Sequence, residues 1–289
     1  MSADKAKLLA TLLAFIIKRQ VKPEGMVWLE EKAKLVAEDK NATTLGASFA
    51  AVPRKTGRFI AEITADELTQ IDQLYSTFTV KDWPIDKLTR LWLLLQVDPA
   101  DETRYHSRIE SLFRDAEMNE LAALYSALPV LAYPESWRLR TAEGIRSNIG
   151  LVLESIMYEN PYPFKCLQEQ AWNQMVMKAF FTEKDVNRII GLDERANKAL
   201  ASILIDYAHE RQAAHRAVNP QLWRLISKFI DEDIIQDIEK LFDDTHITVR
   251  RAAALACVQS DYQPAKLLLE REPAIYASIK ANKLTWNSL

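Results

Sequence analysis

The sequence predicts an all-α fold: a single domain of about a dozen helices arranged as HEAT-like, armadillo-like hairpins in an α-solenoid. Three observations lead there. Apolar residues recur at i, i+3, i+4 and i+7 along most of the 289 residues. Glycine is scarce, with 6 residues, which disfavours the Gly-rich nucleotide-binding folds. No stretch alternates with strand period, and no hairpin dipeptide such as Asn-Gly occurs. A simple bundle is the alternative. The solenoid is favoured by the segment from Asp244 to Leu269, where Ala252, Ala253 and Ala256 allow two helices to approach closely.

The elements follow in order. Residues 1–40 form an N-terminal helical hairpin. Its first helix, 3–20, is amphipathic with a heavy apolar face and contains the largely apolar run Leu8 to Ile17. A ten-residue run is too short to cross a bilayer. Lys18 and Arg19 come next without a cleavage site, so the run is read as a buried first helix rather than a leader. Pro23 suits the first turn of the second helix, 23–38. Residues 41–60, with Pro53-Arg54, read as a covering loop.

Residues 61–230 are the central helices. Thr64 with Glu67 three positions on is a capping box. Pro84 opens a helix whose stripe is Leu88, Leu91, Trp92 and Leu95. Residues 102–114 and 116–128 form a helix pair, ended by Pro129 and Pro134. Further helices are expected at 141–158, 165–181, 194–215 and 220–230. Residues 231–289 are HEAT-like C-terminal helices, at 232–243, 247–259, 263–271 and 273–282.

Composition narrows the function. Hydrophobic residues at 48% and charged residues at 27% describe a chain with an ordinary core. A net charge of −3 argues against a nucleic-acid partner. The two cysteines, Cys166 and Cys257, lie far apart with no CxxC, which fits a reducing cytoplasm and no zinc framework. There is no GxSxG, HExxH, Walker A or GxGxxG motif, so no catalytic residue, metal or cofactor is assigned.

Polar groups on apolar helices carry the remaining signal. On helix 194–215 Arg211 falls on the face of Leu200, Leu204 and Tyr207, and a buried guanidinium needs a partner. It holds an anion with His215 nearby, or it forms an internal salt bridge or snorkels out at the helix end. Lys198, Ser202, Asp206 and His209 share the opposite face, with Glu210 at the border. Asp206, His209 and Glu210 are half of a carboxylate-type metal site without a second half, so a solvated face is preferred. Helix 165–181 is apolar nearly all round, with a seam of Glu169 and Asn173 and a separate stripe of Gln170, Gln174 and Lys178. Arg146, Arg195 and Asn197 are the expected partners of that seam. The seam is either a structural network or a pocket between helices.

The chain also resembles the EboA-domain proteins. The resemblance lies in Phe49 with Pro53-Arg54, Glu120 with Tyr125-Ser-Ala-Leu-Pro129, Pro134-Glu135, and Glu143-Gly-Ile-Arg-Ser-Asn148. It continues in Asn160-Pro-Tyr-Pro163, Trp172-Asn-Gln174 with Lys178, and Gly191-Leu-Asp-Glu-Arg-Ala-Asn197. It closes in Asp206-Tyr-Ala-His-Glu-Arg211 and Pro220-Gln-Leu-Trp223. Residues 212–216 depart from the pattern. The resemblance implies a bacterial gene cluster that handles or exports secondary-metabolite precursors, beside a membrane prenyltransferase-like protein and small metabolic enzymes.

Together these readings point to a cytoplasmic, non-catalytic metabolite-binding or scaffold protein of such a trafficking or export pathway. Its ligand would be a small polar or anionic metabolite. Products of neighbouring genes would be its protein partners, with no direct membrane span. The expected binding residues are Arg146, Asn173, Lys178, Arg195, Asn197, His209, Glu210 and Arg211. Arg195 and Arg211 would supply donors, Asn173 would orient the ligand, and Glu210 would hold an arginine. An enzyme with Glu210 or His209 as general base is one alternative. A pure protein–protein adaptor is the other.

Overall fold

The computed structural model describes residues 3–38 and 43–289. The described residues are helical, with a single isolated antiparallel bridge between Ile60 and Pro84. Two compact units divide the chain, residues 1–168 and 169–289.

The first unit contains α1 (Ala3–Gln20), α2 (Pro23–Glu38), α3 (Thr43–Thr56), α4 (Ala65–Leu74) and α5 (Ile85–Leu94). It continues with α6 (Glu102–Asp115), α7 (Met118–Ala127), α8 (Arg138–Ile145), α9 (Gly150–Met157) and α10 (Pro161–Cys166). Helix α5 lies at its centre, against α1, α3 and α7, and α7 passes on to α9. The sequence accounts for that position. Besides the apolar stripe, Leu93 and Leu94 are buried, so α5 is covered nearly all round. Each such leucine contributes about 1.5–3 kcal/mol on leaving water.

The capping box of α4 forms as expected. Thr64 Oγ1 accepts from the Glu67 N–H at 3.2 Å, and the Thr64 N–H donates to Glu67 Oε2 at 2.8 Å. Asn160 caps α10 by accepting from the Tyr162 N–H at 2.9 Å, while its amide donates to the carbonyls of Tyr125 and Ser155. The preceding Glu159 has φ +52, a left-handed conformation that turns the chain sharply out of α9.

The second unit contains α11 (Glu169–Phe181), α12 (Lys198–Ala213), α13 (Leu222–Ile226) and α14 (Ile235–Leu241). After these come α15 (Ile247–Gln259), α16 (Gln263–Leu267) and α17 (Pro273–Lys280). Here α15 is central, packed against α13, α14, α16 and α17. Ala252, Ala253, Ala254 and Ala256 are wholly buried on it, so neighbouring backbones approach from several sides. Trp286 near the C-terminus is fixed there as well. Its carbonyl accepts from Gln221 Nε2 at 2.6 Å and its indole N–H donates to Gln259 Oε1 at 2.9 Å.

Two expectations are corrected. Seventeen α-helices are present among the described residues, rather than about a dozen. The surplus comes from interruptions inside apolar stripes. The stretch 141–158 is α8 and α9, broken where Ser147 Oγ accepts from the Ile149 N–H at 3.1 Å. The stretch 165–181 is broken at Leu167, which is extended.

The covering loop expected at 41–60 is largely α3; residues 41 and 42 lie outside the described ones. Gly46 and Pro53 look like breakers, yet Leu45, Phe49 and Val52 keep helical spacing and are buried. Helix α1 is amphipathic as expected and buries its heavy apolar face. Leu9, Leu13, Ile16 and Ile17 are inside, while Leu8 and Phe15 are exposed.

Candidate functional site

The second unit holds an open groove of about 560 Å³ between α11 and α12. Its floor follows from helical spacing. The buried face of α11 takes Trp172, Met175, Val176, Ala179 and Phe180 into the core. Gln170, Gln174 and Met177 then fall on a different face, with Lys178 and Phe181 beside them. Helix α12 supplies Ala199 and Ile203 at i, i+4. Phe181 is 66% exposed and Ile203 42% exposed, so an apolar wall faces water. Glu169, Gln170, Gln174 and Lys178 of α11 add carboxylate, amide and ammonium groups to the same lining.

The segment Gly191 to Asn197 is bonded to the two helices that form this groove. Gly191 has φ +76, which a residue with a Cβ adopts at a cost. Asp193 receives two hydrogen bonds from Arg224 of α13, at 2.6 and 2.5 Å. Arg195 lies over the Trp172 ring of α11, 4.6 Å from its centroid. Burial lowers the Arg195 pKa, and the Glu169 carboxylate opposes that shift. Asn197 caps α12 by accepting from the Leu200 N–H at 2.9 Å. It also pairs reciprocally with Asn173. Asn197 Nδ2 donates to Asn173 Oδ1 at 2.9 Å, and Asn173 Nδ2 donates to Asn197 Oδ1 at 3.2 Å. One loop thereby ties three helices.

The structure brings four of the eight expected residues together. Asn173 and Lys178 line the groove, Asn197 is bonded to Asn173, and Arg195 packs behind on Trp172. Three others lie farther along the second unit. Arg211 donates from Nε to the Ala217 carbonyl at 2.6 Å and lies 5.8 Å from the Tyr207 ring centroid, so it braces the end of its own helix. His209 Nε2 is 2.8 Å from Asp237 Oδ2 on α14. Glu210 is exposed on the same late turns of α12. These turns begin roughly 10 Å along the axis from Ile203. Arg146 is exposed and belongs to the first unit, where it follows α8.

The seam of Glu169 and Asn173 and the stripe of Gln170, Gln174 and Lys178 are both legible in the sequence, and both border the groove. The apolar wall is not. Met177, Phe181, Ala199 and Ile203 look like core residues, because spacing does not tell which apolar position lacks a neighbour.

The first unit has a separate cavity of about 660 Å³, bordered by Ala6, Lys7, residues 94–99, Glu102, Tyr105 and residues 132–136. Lys87 of α5 is half-buried with its ammonium 4.1 Å from the Trp83 ring centroid. Burial lowers its pKa to about 8 against the attraction of Asp86 and Glu159. Among the described residues no group of three or more His, Cys, Asp or Glu side chains is placed to hold a metal ion. No helix among them is long and apolar enough to cross a membrane.

Comparison with known proteins adds one positive finding. The model of the family described as "Metabolite traffic protein EboA" matches residues 9–227. That interval contains the groove and all eight expected residues, and it ends before α14 begins. No curated protein and no solved structure matches the chain.

Proposed function

The chain belongs to the EboA family of metabolite traffic proteins, and from that premise we propose that it is a non-catalytic binding protein for an amphiphilic metabolite. The ligand lies in the α11–α12 groove with an apolar body and an anionic or hydrogen-bonding head. The observation that carries this reading is the mixed lining. Met177, Phe181, Ala199 and Ile203 are apolar, and Gln170, Gln174 and Lys178 bring polar groups to the same groove. A wholly polar metabolite would leave the apolar lining wet, whereas an apolar body removes that surface from water. Lys178 supplies a positive charge for the head, and Gln170 and Gln174 donate from their amides. Arg195 and Asn197 set the groove's shape rather than touching the ligand. The helix pairs of the second unit serve as a HEAT-like support, in a protein that works in the cytoplasm.

An adaptor role is the second reading, favoured by the same exposure of Phe181 and Ile203. A partner encoded beside it, such as the prenyltransferase-like protein, would lay an amphipathic segment in the groove.

Thermal-shift titration with a short prenyl monophosphate, the matching prenol and inorganic phosphate tests the proposal. The prenyl phosphate stabilises the protein, by about 2.7 kcal/mol at one hundred times its Kd. Ile203→Glu removes the shift, and Lys178→Ala weakens it. No shift with any of the three probes, or a shift that both variants leave unchanged, rejects a small-molecule groove. Pull-downs with the neighbouring gene products then decide the adaptor reading.

A further inference from the structure

Helix α1 carries an apolar ridge on its outer face. Leu8, Leu12 and Phe15 stand at i, i+4 and i+7 and project on one side. Leu8 is 58% exposed, Phe15 is 62% exposed, and Leu12 is half-buried between them. The neighbouring face, with Leu9, Leu13, Ile16 and Ile17, is fully buried, so the helix is packed along its length and the ridge is not a fraying end.

The ridge is bracketed by basic residues. Lys5 and Lys7 precede it, and Lys18 and Arg19 follow. Asp4 is the sole acidic residue of the helix, so four basic residues less one acidic give α1 a charge of +3, while the whole chain carries −3. Arg19 is held by Glu67, with Nη1 to Oε1 at 2.8 Å. Lys7 and Lys18 are exposed. The ammonium of Lys5 donates to the Leu74 carbonyl at 3.2 Å and keeps two further N–H groups.

We infer that α1 is a membrane-surface helix that docks the protein onto an anionic lipid bilayer. Leu8, Leu12 and Phe15 enter the boundary between headgroups and acyl chains, and the flanking lysines meet lipid phosphates. The arrangement fits a helix lying in the interface. It has a narrow apolar ridge, cationic flanks at both ends, and too many charges for a span. A second copy of the chain would be a poorer partner for this face, because the flanking lysines would meet their own kind. A bilayer containing acidic lipids supplies the opposite charge along the whole helix. The interaction is reversible and salt-sensitive, since a short ridge alone holds weakly and exposed charges are screened by ions.

The test is co-sedimentation of the full chain with large unilamellar vesicles, either phosphatidylcholine alone or phosphatidylcholine with phosphatidylglycerol. Binding is expected to the acidic vesicles, at least tenfold tighter than to the neutral ones, and to fall at least tenfold in high salt. The double variant Leu8→Glu/Phe15→Glu should lose binding with little change in melting temperature, because both side chains are mostly exposed. Lys7→Glu/Lys18→Glu should weaken binding to acidic vesicles without altering the fold. Size-exclusion chromatography with light scattering runs beside it. Failure to bind acidic vesicles, binding that survives the ridge variant, or a dimer that the ridge variant splits would each overturn the inference.

Discussion

Arg90 Nε donates to the backbone carbonyl of Phe49 at 3.1 Å and fills the place of the N–H that Pro53 lacks. In a regular helix the Phe49 carbonyl would accept from residue 53, but proline has no N–H to give. Arg90 is 3% exposed and completes its pairing with Asp86 Oδ2 at 2.7 Å and Glu120 Oε1 at 3.8 Å. Its guanidinium also lies 5.3 Å from the Phe49 ring centroid. A proline inside a helix, a buried arginine and two carboxylates are therefore one device that locks α3 to α5 and α7.

Arg90→Met should destabilise the first unit by about 3–5 kcal/mol, because it strands the buried Asp86 carboxylate and the Phe49 carbonyl together. Adding Pro53→Ala returns an N–H to position 53 and should recover about 1 kcal/mol of that loss. Urea denaturation of the wild type, both single variants and the double variant measures the coupling. Strictly additive losses would show that Arg90 and Pro53 act separately.

Two glycines should respond in opposite directions to alanine. A Cβ on Gly144 of α8 would lie 2.6 Å from Tyr125 Cζ and 2.7 Å from Ile156 Cδ1, both in the core. Gly144→Ala should cost about 1–3 kcal/mol through forced repacking. A Cβ on Gly46 of α3 meets only Leu112 Cδ2, at 3.9 Å. Gly46→Ala should therefore stabilise the protein by about 0.4–1 kcal/mol. Melting temperatures of the two variants relative to wild type decide the point.

Much of the helical layout is legible because its signals are local. The Thr64–Glu67 capping box, the first-turn Pro23 and the stripe of α5 each depend on residues within one or two turns. The reading fails where a distant group changes the local rule. Pro53 sits inside a helix because Arg90, 41 positions away in sequence, supplies its missing donor.

The candidate site follows the same division. Asn173 and Lys178 are visible as polar residues on an apolar helix. Arg211 looks the same, yet the Ala217 carbonyl and the Tyr207 ring meet its guanidinium locally. The exposed side of Phe181 and Ile203 depends on which neighbour is missing, and helical spacing does not record it.

Stability should fall on the acid side through Glu67. Burial alone would raise its pKa, but hydrogen bonds from Arg19 and from the Thr64 backbone and hydroxyl outweigh that, and the pKa is lowered. A carboxylate with a depressed folded-state pKa adds stability that is fully present above its unfolded value, near 4.5. That contribution is lost as pH falls through the lower folded value. Glu67→Gln should be less stable than wild type at pH 7, and the gap should close below about pH 4. Denaturant midpoints measured from pH 3 to pH 7 test this, and a gap that does not change with pH would exclude the ionised carboxylate as the cause.

Asn197 should matter more than Asn173, although each is the other's partner. Asn173→Ala removes the amide pair but leaves the cap of α12 in place, since Asn197 Oδ1 still accepts from the Leu200 N–H. Asn197→Ala removes both at once and leaves the largely buried Asn173 amide without its partner on the loop. The loss of the cap alone is worth about 1 kcal/mol, and the stranded amide adds about 1–3 kcal/mol. Denaturation of the two single variants and the double variant should give Asn197→Ala the larger loss, with a coupling of about 1 kcal/mol between the sites. The same variants separate shape from contact in the groove. If the pair only positions α11 against α12, both variants should weaken binding of a prenyl phosphate in proportion to their loss of stability. If Asn173 also touches the ligand, Asn173→Ala should weaken binding beyond that proportion.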